Sequence, residues 1–273
     1  MSYFEFQGKD IYYEVHGEGK PLLLLNGIMM STASWQAFIP SFSAQNQLVM
    51  VDFLDQGRSG KMDGPFTQAL QVELVCALLD HLHLSKVSIL GISYGSEVAI
   101  QFAVKYPQRL ERLELFNATA RTGPWLGDIG DGWNLAAANC GEAYYLASIP
   151  VIYSPQFYVE HNDWMKRRRE KLTPVFGNPA FYQSMVRLTN SARAYSVPVE
   201  DLEKINVPTL VVSSEQDYLV PVEEQRFLVE HIPNSHHVVI PRCGHASMYE
   251  RPVIFAALAL GFVNNPVSEY EIS

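Results

Sequence analysis

The segment Val87-Ser88-Ile89-Leu90-Gly91-Ile92-Ser93-Tyr94-Gly95 constrains this chain more than any other. An apolar run of β-type residues ends in Gly-x-Ser-x-Gly, and a helical pattern over Tyr94–Tyr106 begins directly behind it. That order describes a strand, a sharp turn and a helix, with one serine at the apex. The two glycines let the backbone bend where a Cβ would strike neighbouring chain. The hydroxyl is lifted out of the sheet, at a helix start whose free N–H groups favour negative charge. Ser93 is therefore the candidate nucleophile, and the rest of the chain must supply a base and an acid that orients it.

The surrounding pattern says what kind of sheet carries this turn. Tyr3–Phe6 and Asp10–Val15 flank Gln7-Gly8-Lys9 and read as a hairpin. Pro21–Leu25, Gln47–Asp52, Val87–Leu90, Leu113–Phe116, Pro208–Ser213 and His237–Ile240 are short strands, and the most apolar of them suit burial on both faces of a parallel sheet. Helical spacing over Phe66–Leu82, Tyr94–Tyr106, Val222–His231 and Pro252–Val263 separates them. The alternation predicts a mostly parallel, doubly wound α/β sheet. It breaks between residues 120 and 197, where aromatic-rich, irregular text carries the basic run Lys166-Arg167-Arg168-Arg169. That stretch reads as a helical insertion, dividing the chain into a core over 1–119 and 198–273 and an inserted segment over 120–197. The basic run reads as a solvated helix face, with a gate for anionic substrates as the alternative.

In an open α/β sheet, ligand-binding groups gather beyond the carboxyl ends of the strands. After Thr209–Val212 comes Ser213-Ser214-Glu215-Gln216-Asp217-Tyr218-Leu219-Val220-Pro221, and after Val238–Ile240 comes Pro241-Arg242-Cys243-Gly244-His245. Asp217, with Glu215 as its rival, is placed to accept from one imidazole nitrogen of His245, whose other nitrogen faces Ser93. His81, His83, His161 and His231 lie in helical or inserted text, and His236 and His237 at the start of a strand. An acyl-transfer intermediate also needs donors for its oxyanion. The Tyr94 N–H follows the nucleophile, and Asn26-Gly27-Ile28 after the strand Leu22–Leu25 offers the Ile28 N–H, with Met29 as the alternative. Asn26, Met29, Trp125, Trp133, Tyr144 and Met185 are candidates for the pocket wall.

These elements together resemble the α/β-hydrolase superfamily, in the branch of small cofactor-free esterases, enol-lactonases and C–C bond hydrolases. The resemblance rests on Asn26-Gly27, Asp52 through Ser59, Gly91 through Gly95, Asp217 with Val220-Pro221, and Gly244-His245. It implies an α/β-hydrolase fold of about eight strands with a helical cap inserted after the sixth, and the triad order Ser93, Asp217, His245. It also favours Asp217 over Glu215, because the family's acid stands just before such a Val-Pro segment. Four positions depart from the pattern. Asn26 stands where histidine is usual, Asp55 and Ser96 stand where glycines are, and Glu97 is unexpected behind the nucleophile. Glu97 is expected to serve the helix N-terminus, and Asp52, Asp55, Arg58 and Ser59 to form a structural hub.

Composition narrows the partners. The net charge of -9 argues against nucleic acid and anionic membrane surfaces, and a small molecule is the expected partner. Three cysteines without paired spacing do not make a disulfide framework. The amino-terminal residues lack a signal-peptide pattern and no apolar run is long enough to span a bilayer, so a cytoplasmic protein is expected. No His/Cys/Asp cluster has metal-ligand spacing and no phosphate loop is present, so neither a metal nor a cofactor is expected. The expected chemistry is hydrolysis of a small, largely apolar carboxylic ester, thioester or lactone through an acyl-enzyme. C–C bond hydrolysis or acyl transfer on the same triad, and a ligand receptor with residual hydrolysis, are the alternatives. Oligomeric state is not legible.

Overall fold

The structure, a computed structural model, describes residues 2–266; Met1 and residues 267–273 of the expected core segments lie outside the described residues. In chain order the elements are β1 (Ser2–Phe6), β2 (Lys9–His16), β3 (Lys20–Leu25), α1 (Ile39–Phe42), β4 (Asn46–Val51), α2 (Gln68–His81), β5 (Val87–Ile92), α3 (Tyr94–Lys105) and β6 (Leu110–Phe116). Then come α4 (Pro124–Asn139), α5 (Gly141–Ile152), α6 (Pro155–Glu160), α7 (Asn162–Phe176), α8 (Pro179–Ser191) and α9 (Val199–Leu202). The chain closes with β7 (Thr209–Ser214), α10 (Val222–His231), β8 (Ser235–Ile240), α11 (Ser247–Glu250) and α12 (Pro252–Asn264).

The strands form one eight-stranded sheet in the order β1-β2-β4-β3-β5-β6-β7-β8. Only β1 on β2 and β2 on β4 run antiparallel; every later pair is parallel. Period-two side-chain alternation sorts the apolar strands between two cores. Leu23, Leu25, Val49, Val51 and Ile89 join α2 and α3 residues such as Val75 and Phe102 on one face. Leu22, Leu24, Leu48, Met50 and Leu90 join Phe42 of α1 and Phe255 and Ala259 of α12 on the other. Both faces are covered, so the sheet needs the continuous apolar runs that its sequence carries.

Of the boundaries that differ from the sequence expectation, two have a clear physical reason. The helix expected from Phe66 starts at Gln68, because Thr67 holds extended backbone at its N-cap position (φ −110°, ψ 159°). The last strand starts at Ser235, two residues early; it is an edge strand and half exposed, so its apolar signal is weak.

Helices α4 to α8 lie between β6 and β7, and the chain enters and leaves them side by side. Arg121 and Ser196 form an isolated antiparallel bridge, with Thr122 N–H donating to Tyr195 O (2.9 Å) and Val197 N–H to Ala120 O (2.9 Å). The insertion is further tied to the core by Asp55, which takes the Arg187 guanidinium of α8 in a fork (2.6 and 2.8 Å) and the Ser184 hydroxyl (2.9 Å). Among the described residues no helix is long and apolar enough to cross a membrane.

Candidate active site

Ser93 sits between the end of β5 and the first turn of α3 with φ 52° and ψ −120°. A non-glycine residue held there stores about 1–3 kcal/mol of strain, which the surroundings must impose. Here the Ser93 N–H donates to Phe116 O at the end of β6 (2.9 Å), and Ser96, which replaces the expected glycine, donates its hydroxyl to the same carbonyl (3.0 Å). The glycines on either side are required by contact. A Cβ on Gly91 would lie 2.6 Å from Gly95 O, and one on Gly95 would lie 2.3 Å from Leu25 O.

The His245 ring is fixed from below. Its Nδ1 lies 2.7 Å from Asp217 Oδ2, both side chains buried. The other carboxylate oxygen, Oδ1, accepts the Leu219 and Val220 N–H groups, each at 2.9 Å. The segment before Pro221 thus holds the carboxylate in one orientation, leaving Oδ2 for the imidazole. Glu215, the rival acid, spends its carboxylate on the Arg242 N–H (2.6 Å) and does not reach His245. Asn117, in left-handed backbone (φ 51°) just past β6, donates its amide to His245 O (2.6 Å) and accepts from Ser214 Oγ (3.1 Å). Sequence reading missed Asn117; an asparagine directly after a strand, where positive φ is tolerated, was its available signal.

The expected oxyanion donors are oriented by their neighbours. Ser96 and Glu97 N–H groups both donate to Ser93 O, so Tyr94 and Gly95 N–H groups are those the helical ladder leaves over. Gln56 Nε2 donates to Gly27 O (2.9 Å) and Ile28 O (3.3 Å). In a trans peptide the N–H points opposite to the C=O, so anchoring Gly27 O on Gln56 turns the Ile28 N–H the other way. Ile28 and Ser93 line the same cavity.

That cavity has two lobes that meet at Ser93, Ile28, Trp133 and Leu219. The first, of about 60 Å³, runs past Tyr94 and Glu97 to α4 and α8. The second, of about 110 Å³, holds His245 and runs past Met29, Ile149 and Tyr153 to Arg168 of α7. Apolar lining with few polar groups is the usual character of a small-molecule site.

Several expected positions lie elsewhere. Asn26 is fully buried and does not line the cavity; its amide donates to Val51 O (2.7 Å) and Gln56 Oε1 (3.1 Å), and its oxygen accepts from Trp35 Nε1 (2.7 Å). It clamps the loop instead. Trp125 is 61% exposed, with its indole N–H on Tyr218 O, so it is not a wall residue. Tyr144 packs edge-on against Phe176 inside the insertion, and Met185 is buried in the same core, neither of them at the cavity. Of the pocket candidates, Met29 and Trp133 line it. The solvated-face reading of Lys166–Arg169 fails at Arg168, which turns inward, while Lys166 and Arg167 are exposed and Arg169 pairs with Glu142. Inward aromatic neighbours, not spacing, decide that orientation.

Glu97 also departs from expectation, lying in the first lobe rather than serving only the helix start. Its carboxylate accepts from Gln68 Nε2 (2.5 Å), a neutral donor. Burial, opposed by the Gln68 bond and the His245 charge, pushes its pKa up to about 7 from an ordinary 4.5. A raised acid stabilises the fold only while protonated, so this contribution is whole below about 4.5 and is lost as pH rises through about 7. The difference amounts to about 3 kcal/mol. Glu97→Gln keeps an acceptor for Gln68 and removes the titration. Its melting temperature should gain several degrees on wild type at pH 8 and little at pH 5. An offset equal at both pH values would refute this.

The comparisons with known proteins agree with this fold. The chain is 50% identical to MGS-M2, an alpha/beta hydrolase enzyme from a Medee basin deep-sea metagenome library; the match covers 99% of this chain and 100% of that one, with a TM-score of 0.98. It is 27% identical to RutD of Azorhizobium caulinodans, a carbamate hydrolase by provisional name, over 96% of this chain and 98% of that protein. It is 24% identical to a 2-hydroxy-6-oxo-6-(2'-aminophenyl)hexa-2,4-dienoic acid hydrolase of Metapseudomonas resinovorans, covering 94% of this chain and 88% of that one. The sequence model of the alpha/beta hydrolase fold matches residues 20–252, which span β3 through the start of α12 and so include the elbow, the Asp217 turn and the His245 loop. With that span and this sheet order, the chain belongs to the α/β-hydrolase family.

Proposed function

We propose that this protein is a serine hydrolase that cleaves a small, largely apolar carboxylic ester, thioester or lactone through an acyl-enzyme. The observation that carries the reading is the 2.7 Å bond between Asp217 and His245 on a cavity that also holds Ser93 at a strained elbow. Asp217 keeps the proton on His245 Nδ1, which leaves Nε2 free to act as base. Ser93 Oγ attacks the carbonyl carbon as His245 takes its proton. The Ile28 and Tyr94 N–H groups hold the oxyanion. Collapse of the tetrahedral intermediate expels the leaving group, which His245 protonates, and water repeats the sequence to release the acid. Helices α4 to α8 act as a cap, lining the cavity with Trp133, Ile149 and Phe176 and limiting access of water.

Labelling with a fluorophosphonate tests the nucleophile. Wild type should label stoichiometrically and Ser93→Ala not at all, with ester turnover lost in parallel. Normal labelling and turnover by Ser93→Ala would overturn the assignment. The carbamate and the 6-oxo dienoic acid in the names of two relatives each contain a carbonyl carbon open to the same attack, and a panel of esters, lactones, carbamates and vinylogous diketones separates these substrates.

A further inference from the structure

We propose that the second lobe of the cavity is a carboxylate subsite built on Arg168, so that the substrate is an ester carrying a free carboxylate a short chain away from the scissile carbonyl. The inference rests on the serine-hydrolase reading of Ser93 and adds the substrate class.

The lobe is lined mostly by apolar side chains, with Ser34, Ser93, Ser247, the His245 ring and one guanidinium among them, and no aspartate or glutamate lines it. Arg168 has no hydrogen bond or ion pair to any described residue, and its Nε is buried without a partner. Its guanidinium carbon lies over the rings of Tyr249 (4.8 Å), Trp164 (5.2 Å) and Tyr153 (5.9 Å). These faces hold the plane of the fork in place and offset part of its charge, yet they accept none of its N–H bonds in the guanidinium plane. The adjacent Arg169 has found Glu142 of α5, so a counter-charge is supplied to this basic run where the fold requires one.

A second group on the same wall is also unsatisfied. Ser247, 1% exposed, has a buried hydroxyl with no partner. A cation donor and a hydroxyl left over together in an apolar lobe are costly unless a ligand completes them. A carboxylate in the lobe completes the guanidinium, because its two oxygens accept a planar fork. The outer side of Arg168 opens onto a surface depression with Arg167 and Lys171, a basic rim on a chain of net charge -9. Such a rim draws anions toward the lobe. The first lobe carries Glu97 and Asp131, and its guanidinium, Arg193, is already paired with Asp131, so the free carboxylate belongs in the second.

Matched substrate pairs test this. The mono-4-nitrophenyl esters of succinate, glutarate and adipate are compared with 4-nitrophenyl alkanoates of equal length, placing the carboxylate on the acyl side. The pair 4-acetoxybutanoate and its methyl ester places it on the leaving group. In wild type at low salt, kcat/KM for the anionic member of at least one pair should exceed that of its neutral twin by tenfold or more. Arg168→Gln and Arg168→Met should each reduce that ratio at least tenfold, and Arg168→Lys should retain part of it. Absence of an anionic preference in every wild-type pair overturns the proposal even if the variants fail to fold. An unchanged ratio in the folded variants overturns it as well. Hydrolysis of the neutral esters, together with fluorophosphonate labelling that depends on Ser93, leaves the serine-hydrolase reading standing in either case, whereas failure of every ester in wild type counts against both.

Discussion

Asp217→Asn should lower kcat on a short-chain 4-nitrophenyl ester by about 10⁴, the scale known for loss of the orienting acid in serine proteases. The direction follows from how the carboxylate is held. Its Oδ1 already accepts two backbone N–H groups, from Leu219 and Val220. An asparagine must keep its amide oxygen there and turn its NH₂ toward His245 Nδ1. The imidazole then becomes an acceptor at Nδ1 and carries its proton on Nε2, where it can no longer take one from Ser93. Volume and backbone contacts are almost unchanged, so the fold should survive, and the loss should appear in kcat rather than in melting temperature. Fluorophosphonate labelling should slow in parallel. A fall of less than tenfold would mean that Asp217 does not set the tautomer.

Gly95→Ala should have the largest effect on the fold. The added Cβ would lie 2.3 Å from Leu25 O, 2.6 Å from Leu25 C and 2.8 Å from Asn26 O. All three are backbone atoms at the end of β3 and the start of the Asn26–Ile28 loop, so no side chain can swing aside. Either α3 lifts from the sheet or the loop shifts. Overpacking of this kind costs about 3 kcal/mol, the upper part of the usual range, and should lower the melting temperature by roughly 6–12 °C. Because the moving loop carries the Ile28 N–H, turnover should also fall at least 10²-fold, the scale of losing one oxyanion donor. Gly132→Ala is the control: a Cβ there, within α4, meets nothing within 4 Å. It should stabilise by about 0.5–1 kcal/mol, through helix entropy alone. Equal melting temperatures for Gly95→Ala and wild type would show that the elbow tolerates side chains and would remove the packing argument.

The sequence by itself determined the sheet and the order of the chemistry, because those are written locally. Apolar runs, helical spacing and the Gly-x-Ser-x-Gly turn each depend on residues a few positions apart, so β3, β5 and α3 and the places of Ser93, Asp217 and His245 at strand ends were legible. What only the tertiary structure decided were matters of facing. Asn26 reads as a loop residue at the site, and the Trp35 and Gln56 contacts turn it into a clamp. Trp125, Tyr144 and Met185 carry the same apolar signal as Trp133, but helix packing in the insertion points one toward the cavity, two into the insertion's core and one into solvent. Arg168 is one of four consecutive basic residues, and a helix turns each through a different direction. Its burial against Trp164, Tyr153 and Tyr249 comes from three separate segments of chain meeting in space. No local pattern encodes such a meeting, and the proposed carboxylate subsite rests on it.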